Sequence, residues 1–206
     1  VDMSKVSYDF VIIGAGIVGL TVASELKQRI PTARIAILDK ESRVGVHASG
    51  CNSGVVHSGI YYGSDTLKAQ VCARGAARLI AFAQEHAIAY KQSGKVILAT
   101  SEEQLQTVDR LMQNARANGI RAQRINAFEL HELEPAAAIG PAAIYCSDTA
   151  VIDSLAVLKK LHFLLEHQGV KFYFNCHVEG LPQTVTNQLQ TNQGIFSYGF
   201  VVNCAG

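Results

Sequence analysis

The sequence predicts an α/β fold built on a parallel sheet, and three features carry that prediction. Residues 10–39 alternate strand, helix and strand. The first strand runs straight into a glycine-rich turn. Of the 206 residues, 49% are hydrophobic, enough for one substantial core or a core with a small satellite domain.

Taken in order, residues 10–13 (FVII) are a short β-branched run that stops at glycine, the mark of a buried parallel strand. Ile17–Arg29 has apolar residues Val18, Val22 and Leu26 at helical spacing, and Pro31 with Thr32 ends it. Residues 34–39 (RIAILD) form a second strand. Residues 42–65 are too rich in Gly, Ser, His and Tyr for a helix and too long for a plain turn, so they read as a functional loop. Residues 66–89 look helical, and residues 95–100 (KVILAT) are a strand. Ser101 opens a helix that runs to about Asn118, with S-E-E-Q in the form of a capping box, and Gly119 closes it. Ala127–Leu133 is a short helix stopped by Pro135, and residues 144–146 are an edge strand. Ser154–His167 is amphipathic and ends at Gly169, residues 170–174 are a strand, and residues 184–204 read as a β-meander turning at Asn192 and Gly194.

Charge and cysteine usage exclude several function classes. Formal net charge is +1 with 17% charged residues and no basic run, which argues against a nucleic-acid partner. No apolar run is long enough to span a bilayer, while peripheral contact with a membrane stays compatible with the sequence. The five cysteines (Cys51, Cys72, Cys146, Cys176, Cys204) include no C-x-x-C pair, so neither a disulfide framework nor a zinc site is expected. The expected location is cytoplasmic. The first nine residues lack the pattern of a signal peptide, and Val1-Asp2 ahead of Met3 reads as a cloning remnant. Phosphate-loop, H-E-x-x-H and G-x-S-x-G signatures are all absent, and no metal site is expected.

Gly14-Ala15-Gly16-Ile17-Val18-Gly19 is a G-x-G-x-x-G motif. It follows a strand, opens a helix, and Asp39 closes the next strand twenty residues after Gly19. Each part has a task. Gly14 permits the tight turn, Gly16 lets the backbone approach a pyrophosphate, and Gly19 lets helix and strand pack closely. The helix start at Ile17 and Val18 offers free N–H groups and a positive dipole. Asp39, with Lys40 beside it, is placed to accept a ribose hydroxyl, which favours FAD or NAD over NADP.

Residues 47–63 (HASGCNSGVVHSGIYYG) separate FAD from NAD by resemblance. The stretch from Asn52 to Tyr62 resembles the N-S-G-V-[IV]-H-[SA]-G-[IV]-Y-Y loop of the FAD-dependent L-2-hydroxyglutarate dehydrogenase/oxidase family, within the wider D-amino-acid oxidase and glycerol-3-phosphate dehydrogenase group. The likeness continues in residues 64–75, 94–100, 129–135 and 201–206 (VVNCAG), so it covers nearly the whole chain. It departs at Cys51, where family members often carry His.

The resemblance implies a Rossmann-like FAD-binding domain, residues 1–89 and 151–206, carrying a partial α+β substrate domain, residues 90–150. It implies relatives about twice as long, hence an absent C-terminal part and apolar surface where that part would pack. Ser49, Asn52 and Ser53 would donate to phosphate or flavin oxygens, and Gly54 would let the backbone approach the flavin ring. His57 is the expected general base, because an unperturbed imidazole titrates near 6.5. His47 is a second candidate, as base or flavin neighbour. Tyr61 and Tyr62 would contact substrate, although adjacent strand positions face opposite sides. Val178, Ala205 and Gly206 are expected to offer backbone contacts to the cofactor. Cys51 and Cys72 read as packed thiols rather than flavin attachment points, and His86, His131, His162, His167 and His177 as structural histidines. The implied activity is oxidation of L-2-hydroxyglutarate, or a close 2-hydroxy acid, with oxygen or a quinone-linked chain as final electron acceptor. Two alternatives stay open: a related amine, amino-acid or glycerol-3-phosphate flavin enzyme, and a non-catalytic FAD-binding fragment.

Overall fold

The computed structural model describes residues 7–180 and 186–206, so the reading of Val1 to Met3 and the first two residues of the expected meander lie outside the described residues. The chain divides into two compact units, Val1–Asn52 with Ser154–Gly206, and Ser53–Asp153.

The first unit is built on β1 (Ser7–Ile13), α1 (Ile17–Arg29), β2 (Ile35–Leu38), α5 (Ser154–His167), β9 (Lys171–Tyr173), β10 (Val178–Gly180), β11 (Gln188–Thr191) and β12 (Gly194–Asn203). Its six-stranded sheet has the order β10-β11-β12-β1-β2-β9. β1 pairs in parallel with β2 and with β12, and β2 pairs in parallel with β9. Every residue of β2 is buried, as a sheet covered on both faces requires. Val11, Ala36 and Leu38 join Tyr8, Leu189 and Phe196 in one cluster, while the alternating Ile12, Ile35 and Ile37 are buried as well. α1 buries Gly19, Leu20 and Ala23, and α5 buries Val157, Leu158, Leu161 and Leu165. The expected meander is only part of what the tail does. β12 pairs antiparallel with β11 through Gly194 to Ser197, then crosses into the parallel sheet beside β1. Near that end Phe200 stays 68% exposed and stacks on Phe10.

The second unit holds two small sheets. β3 (Val55–Val56), β8 (Ala150–Ile152) and β4 (Tyr90–Lys91) form one, in the order β3-β8-β4. The other consists of β5 (Lys95–Ala99), β7 (Ala142–Cys146) and β6 (Ala122–Ile125), in the order β5-β7-β6. The stretch expected as an edge strand is therefore the central one: β7 pairs on both sides, and its Ile144 and Cys146 are fully buried. α2 (Leu67–Glu85), α3 (Leu105–Ala117) and α4 (Ala127–Leu133) complete the unit. Val108, Leu111 and Ala115 of α3 pack with Ile60, Ala99, Ile144 and Cys146. Packing places residues 53–89 with this unit rather than with the strand–turn–helix that precedes them. Two asparagines of the α3 end explain part of that grouping: Asn114 and Asn118 donate to the carbonyls of Ile60 and Tyr62.

The capping box forms elsewhere than expected. Ser101 makes no side-chain cap; a 3₁₀ turn, Glu102–Gln104, precedes α3, and Gln104 reaches back to the N–H of Thr100. The reciprocal pair closes instead at α4, where Asn126 accepts from Glu129 N–H and the Glu129 carboxylate accepts from Asn126 N–H.

Candidate functional site

The turn after β1 is shaped by contacts that leave no room for a side chain. Gly14 has φ of +105°, and a Cβ there would lie 2.5 Å from the carbonyl oxygen of Cys204. A Cβ on Gly19 would lie 1.9 Å from the carbonyl oxygen of Gly14. These two glycines let α1 start directly against the ends of β1 and β12. Ser49 Oγ accepts the N–H of Ile17 at 3.1 Å, and Asp39 Oδ2 accepts the N–H of Ala15 at 2.7 Å. The N–H groups of Gly16 and Val18 have no partner among the described residues, and the first turn of α1 holds no acid. A helix start of this kind attracts an anion.

One open cavity of this unit gathers Gly14, Gly16, Val18, Asp39, His47 and Ser49 with Ala205 and Gly206 at the end of β12. Asp39 also accepts the N–H of Glu41 through Oδ1 at 2.8 Å. Each carboxylate oxygen keeps a second acceptor position, so Asp39 can brace the turn and still accept a hydroxyl. His47 Nε2 lies 2.7 Å from Glu41 Oε1, so this imidazole has a carboxylate partner. Asn52 donates to the carbonyls of Ala48 and Ser49, which holds the Ser49 turn. Lys40 and Val178 do not line the cavity; Lys40 is exposed, and Val178 packs against the Tyr8–Phe196 cluster. Sequence reasoning missed Glu41 and Arg43, which do line it. Arg43 makes no ion pair among the described residues and supplies a cation to the cavity. A lone Arg four residues after the strand-end acid was the one available signal.

The second unit holds the rest of the loop. Gly54 has φ of +66°, and a Cβ there would lie 2.4 Å from the Ile152 carbonyl oxygen. The Ile152 N–H in turn donates to the Gly54 carbonyl at 2.8 Å. The β3–β8 pairing alone therefore requires glycine at 54. Ser53 is exposed. His57, Tyr61 and Tyr62 line one cleft with Lys95 and Thr149. The two tyrosines sit in a turn closed by the Tyr62 N–H donating to the Gly59 carbonyl, not in a strand, which is why both reach the same cleft. The His57 imidazole is exposed and makes no hydrogen bond among the described residues, while its carbonyl accepts from Cys72 Sγ. Lys95 Nζ donates to Tyr61 Oη at 2.7 Å and lies 4.4 Å from its ring centre. Burial pushes the Cys72 thiol up from its ordinary range. Cys51, expected to be packed, is exposed. All five cysteines are free, and no group of acids, histidines and cysteines suited to a metal occurs among the described residues. Nor is any described helix long and apolar enough to cross a membrane.

The sequence profile of the family described as "FAD dependent oxidoreductase" matches residues 9–206. The chain belongs to this FAD-dependent oxidoreductase family. FAD is the family's cofactor, and the glycine cradle, the unpartnered N–H groups, Arg43 and the strand-end Asp39 fit a dinucleotide. Among curated relatives, the chain is 36% identical over 201 residues to L-2-hydroxyglutarate dehydrogenase of Indibacter alkaliphilus, covering 97% of this chain and 50% of that protein. It is 34% identical over 217 residues to the mitochondrial enzyme of that name from Homo sapiens, covering 98% and 47%. The chain thus spans about half the length of the curated relatives it matches. Among solved structures, glycine oxidase from Geobacillus kaustophilus superposes with a TM-score of 0.87 at 24% identity, over 97% of this chain and 55% of that one. L-α-glycerophosphate oxidase from Mycoplasma pneumoniae gives 0.84 at 23%, over 98% and 55%. These likenesses establish the fold that this family member shares with them.

Proposed function

We propose that this flavoprotein oxidises L-2-hydroxyglutarate, or a close 2-hydroxy acid, to the 2-oxo acid. The observation that carries the reading is the contrast in similarity. Curated relatives named for this substrate are 34–36% identical across nearly the whole chain, whereas the glycine and glycerophosphate oxidases match at 23–24%.

FAD, when bound, supplies the hydride acceptor at flavin N5. The first unit's residues would hold the cofactor: the glycine turn and helix start would take its diphosphate, Arg43 would add positive charge, and Asp39 would accept from its ribose. In the second unit His57 is the base for the substrate hydroxyl. Its ring is exposed in the cleft and unoccupied by protein partners among the described residues, so one nitrogen can accept the proton as hydride leaves the carbon. Tyr61 and Tyr62 line the same cleft as substrate contacts. His47, paired to Glu41, serves the cofactor cavity and does not act as the base. The final electron acceptor would be oxygen or a quinone-linked chain.

The test is anaerobic reduction of the protein expressed from its complete coding sequence. Adding L-2-hydroxyglutarate should bleach the flavin absorbance. Bleaching by glycine, sarcosine or glycerol 3-phosphate, with none by the hydroxy acid, would replace this reading with the amine or glycerol-phosphate one.

A further inference from the structure

The cleft that holds His57 has one Lys or Arg in its lining, Lys95, and no acid. Lys95 makes no ion pair among the described residues. Its ammonium donates to Tyr61 Oη, and that is its only hydrogen bond among the described residues. An ammonium has three donors and a phenol has one. Two N–H⁺ groups therefore remain, and the phenol proton is turned away from Lys95. Together the two side chains offer three donors around one positive charge, a receptor for a carboxylate.

The position of Lys95 is built into the sheet. It opens β5 and pairs with Cys146 of the buried central strand. The preceding Gly94 has φ of +72°, its N–H donates to the Thr149 carbonyl, and a Cβ there would lie 2.4 Å from the Tyr145 ring. Lys95 also lines a neighbouring polar cleft with Lys91, Ser93 and Glu134, so it stands on the wall between the two.

Resting on the 2-hydroxy acid reading above, we propose that Lys95, held against Tyr61, binds the carboxylate of the dicarboxylate substrate that lies farthest from the carbon being oxidised. The C1 carboxylate adjoins that carbon. A cation gripping it would stand beside His57 as the imidazole takes its proton, and like charges oppose that step. The far carboxylate is three carbons removed, so the same cation can hold it with a weaker effect on the base. This makes Lys95 a specificity-determining residue that separates 2-hydroxy diacids from 2-hydroxy monoacids.

The protein from its complete coding sequence, loaded with FAD, is compared with Lys95→Met, Lys95→Arg and Tyr61→Phe. Two readouts are used: kcat/KM for L-2-hydroxyglutarate against L-2-hydroxypentanoate, and calorimetric affinity for glutarate, which has both carboxylates and no hydroxyl. Losing charge-assisted hydrogen bonds should lower the diacid-to-monoacid preference of Lys95→Met by about 10- to 100-fold, mostly through KM, with a matching loss of glutarate affinity. Lys95→Arg should restore most of it, and Tyr61→Phe, which removes one exposed oxygen, should lose a smaller part. An unchanged preference and unchanged glutarate affinity in Lys95→Met overturn the proposal. If Lys95→Met does not fold, the same result in Tyr61→Phe overturns it. Wild-type protein that leaves L-2-hydroxyglutarate untouched sinks the activity reading instead; glutarate affinity that then depends on Lys95 still upholds the receptor, and affinity that does not overturns it.

Discussion

The carboxylate of Asp39 accepts the backbone N–H of Ala15 at 2.7 Å, so the acid closing β2 is tied to the glycine turn that leaves β1. Its other oxygen accepts the N–H of Glu41. The residue expected to hold a ribose is thus also a brace for the turn proposed to receive the diphosphate.

Asp39→Asn tests that double duty. Both carboxylate oxygens face backbone donors, so an amide must turn its NH₂ toward one of them. Losing a half-buried, charge-assisted bond of this kind costs about 1–3 kcal/mol, which should raise the Kd for FAD roughly tenfold to a hundredfold. Titrating apoprotein with FAD and following flavin fluorescence measures it. An unchanged Kd would remove Asp39 from the site.

Gly19 and Gly75 make a matched pair for stability. A Cβ on Gly19 meets the Gly14 carbonyl at 1.9 Å and must push α1 off β1, while a Cβ on Gly75, inside α2, meets nothing within 4 Å. Gly19→Ala should cost about 3 kcal/mol or more and abolish FAD binding. Gly75→Ala should add about 0.5–1 kcal/mol by restricting the unfolded chain and favouring helix. Urea unfolding of both variants checks the two signs; equal effects would mean that the glycine turn is not under steric constraint.

Tyr8 gives a pH dependence of definite sign. Burial, then the hydrogen bond to Tyr173 at 2.6 Å and the proximity of that second phenol, push its hydroxyl well above the ordinary tyrosine range. A proton held more tightly in the folded state stabilises fully below the unfolded value near 10 and loses that contribution as pH rises beyond it. Burial raises the thiols of Cys72, Cys176 and Cys204 in the same sense. Unfolding free energy should therefore fall as pH rises from 9 to 11, and Tyr8→Phe should fall less steeply. Identical slopes for the two proteins would refute the assignment to Tyr8.

What could be read in advance was what local chemistry dictates. The G-A-G-I-V-G turn is legible because Gly14 and Gly19 each answer a backbone clash with a neighbour close in the fold, while Gly16 faces the Ser49 side chain. Ile17–Arg29, Ala127–Leu133 and Ser154–His167 were legible to the residue because Pro31, Pro135 and Gly169 stop them. β3, β4 and β8 have two or three residues each, and only their long-range pairing makes them strands, so no periodicity betrays them. S-E-E-Q and N-A-F-E have the same capping form, yet only the second closes, because Gln104 turns back to Thr100. The resemblance assigns Gly54 as room for a flavin, and the Ile152 carbonyl is a sufficient reason for it. Arg43 and Lys95 were invisible for a simpler reason. A single cation in a loop or at a strand start looks the same whether it faces water or a cavity.

His57→Ala separates chemistry from binding in the proposed reaction. The imidazole is exposed and makes no hydrogen bond among the described residues, so its removal should change stability by less than about 0.5 kcal/mol. The cofactor cavity of the first unit does not include it, so the flavin absorbance of the purified variant should match wild type. Loss of a general base slows turnover by about 10²–10⁴-fold, and that loss should appear in the rate of anaerobic flavin bleaching by L-2-hydroxyglutarate. His47→Ala provides the contrast. It leaves Glu41 without its partner inside the cofactor cavity and should weaken FAD binding more than it slows bleaching of the fully loaded protein. Bleaching at the wild-type rate in His57→Ala would end its role as base, and a slow step that follows His47 instead would move the chemistry to the first unit.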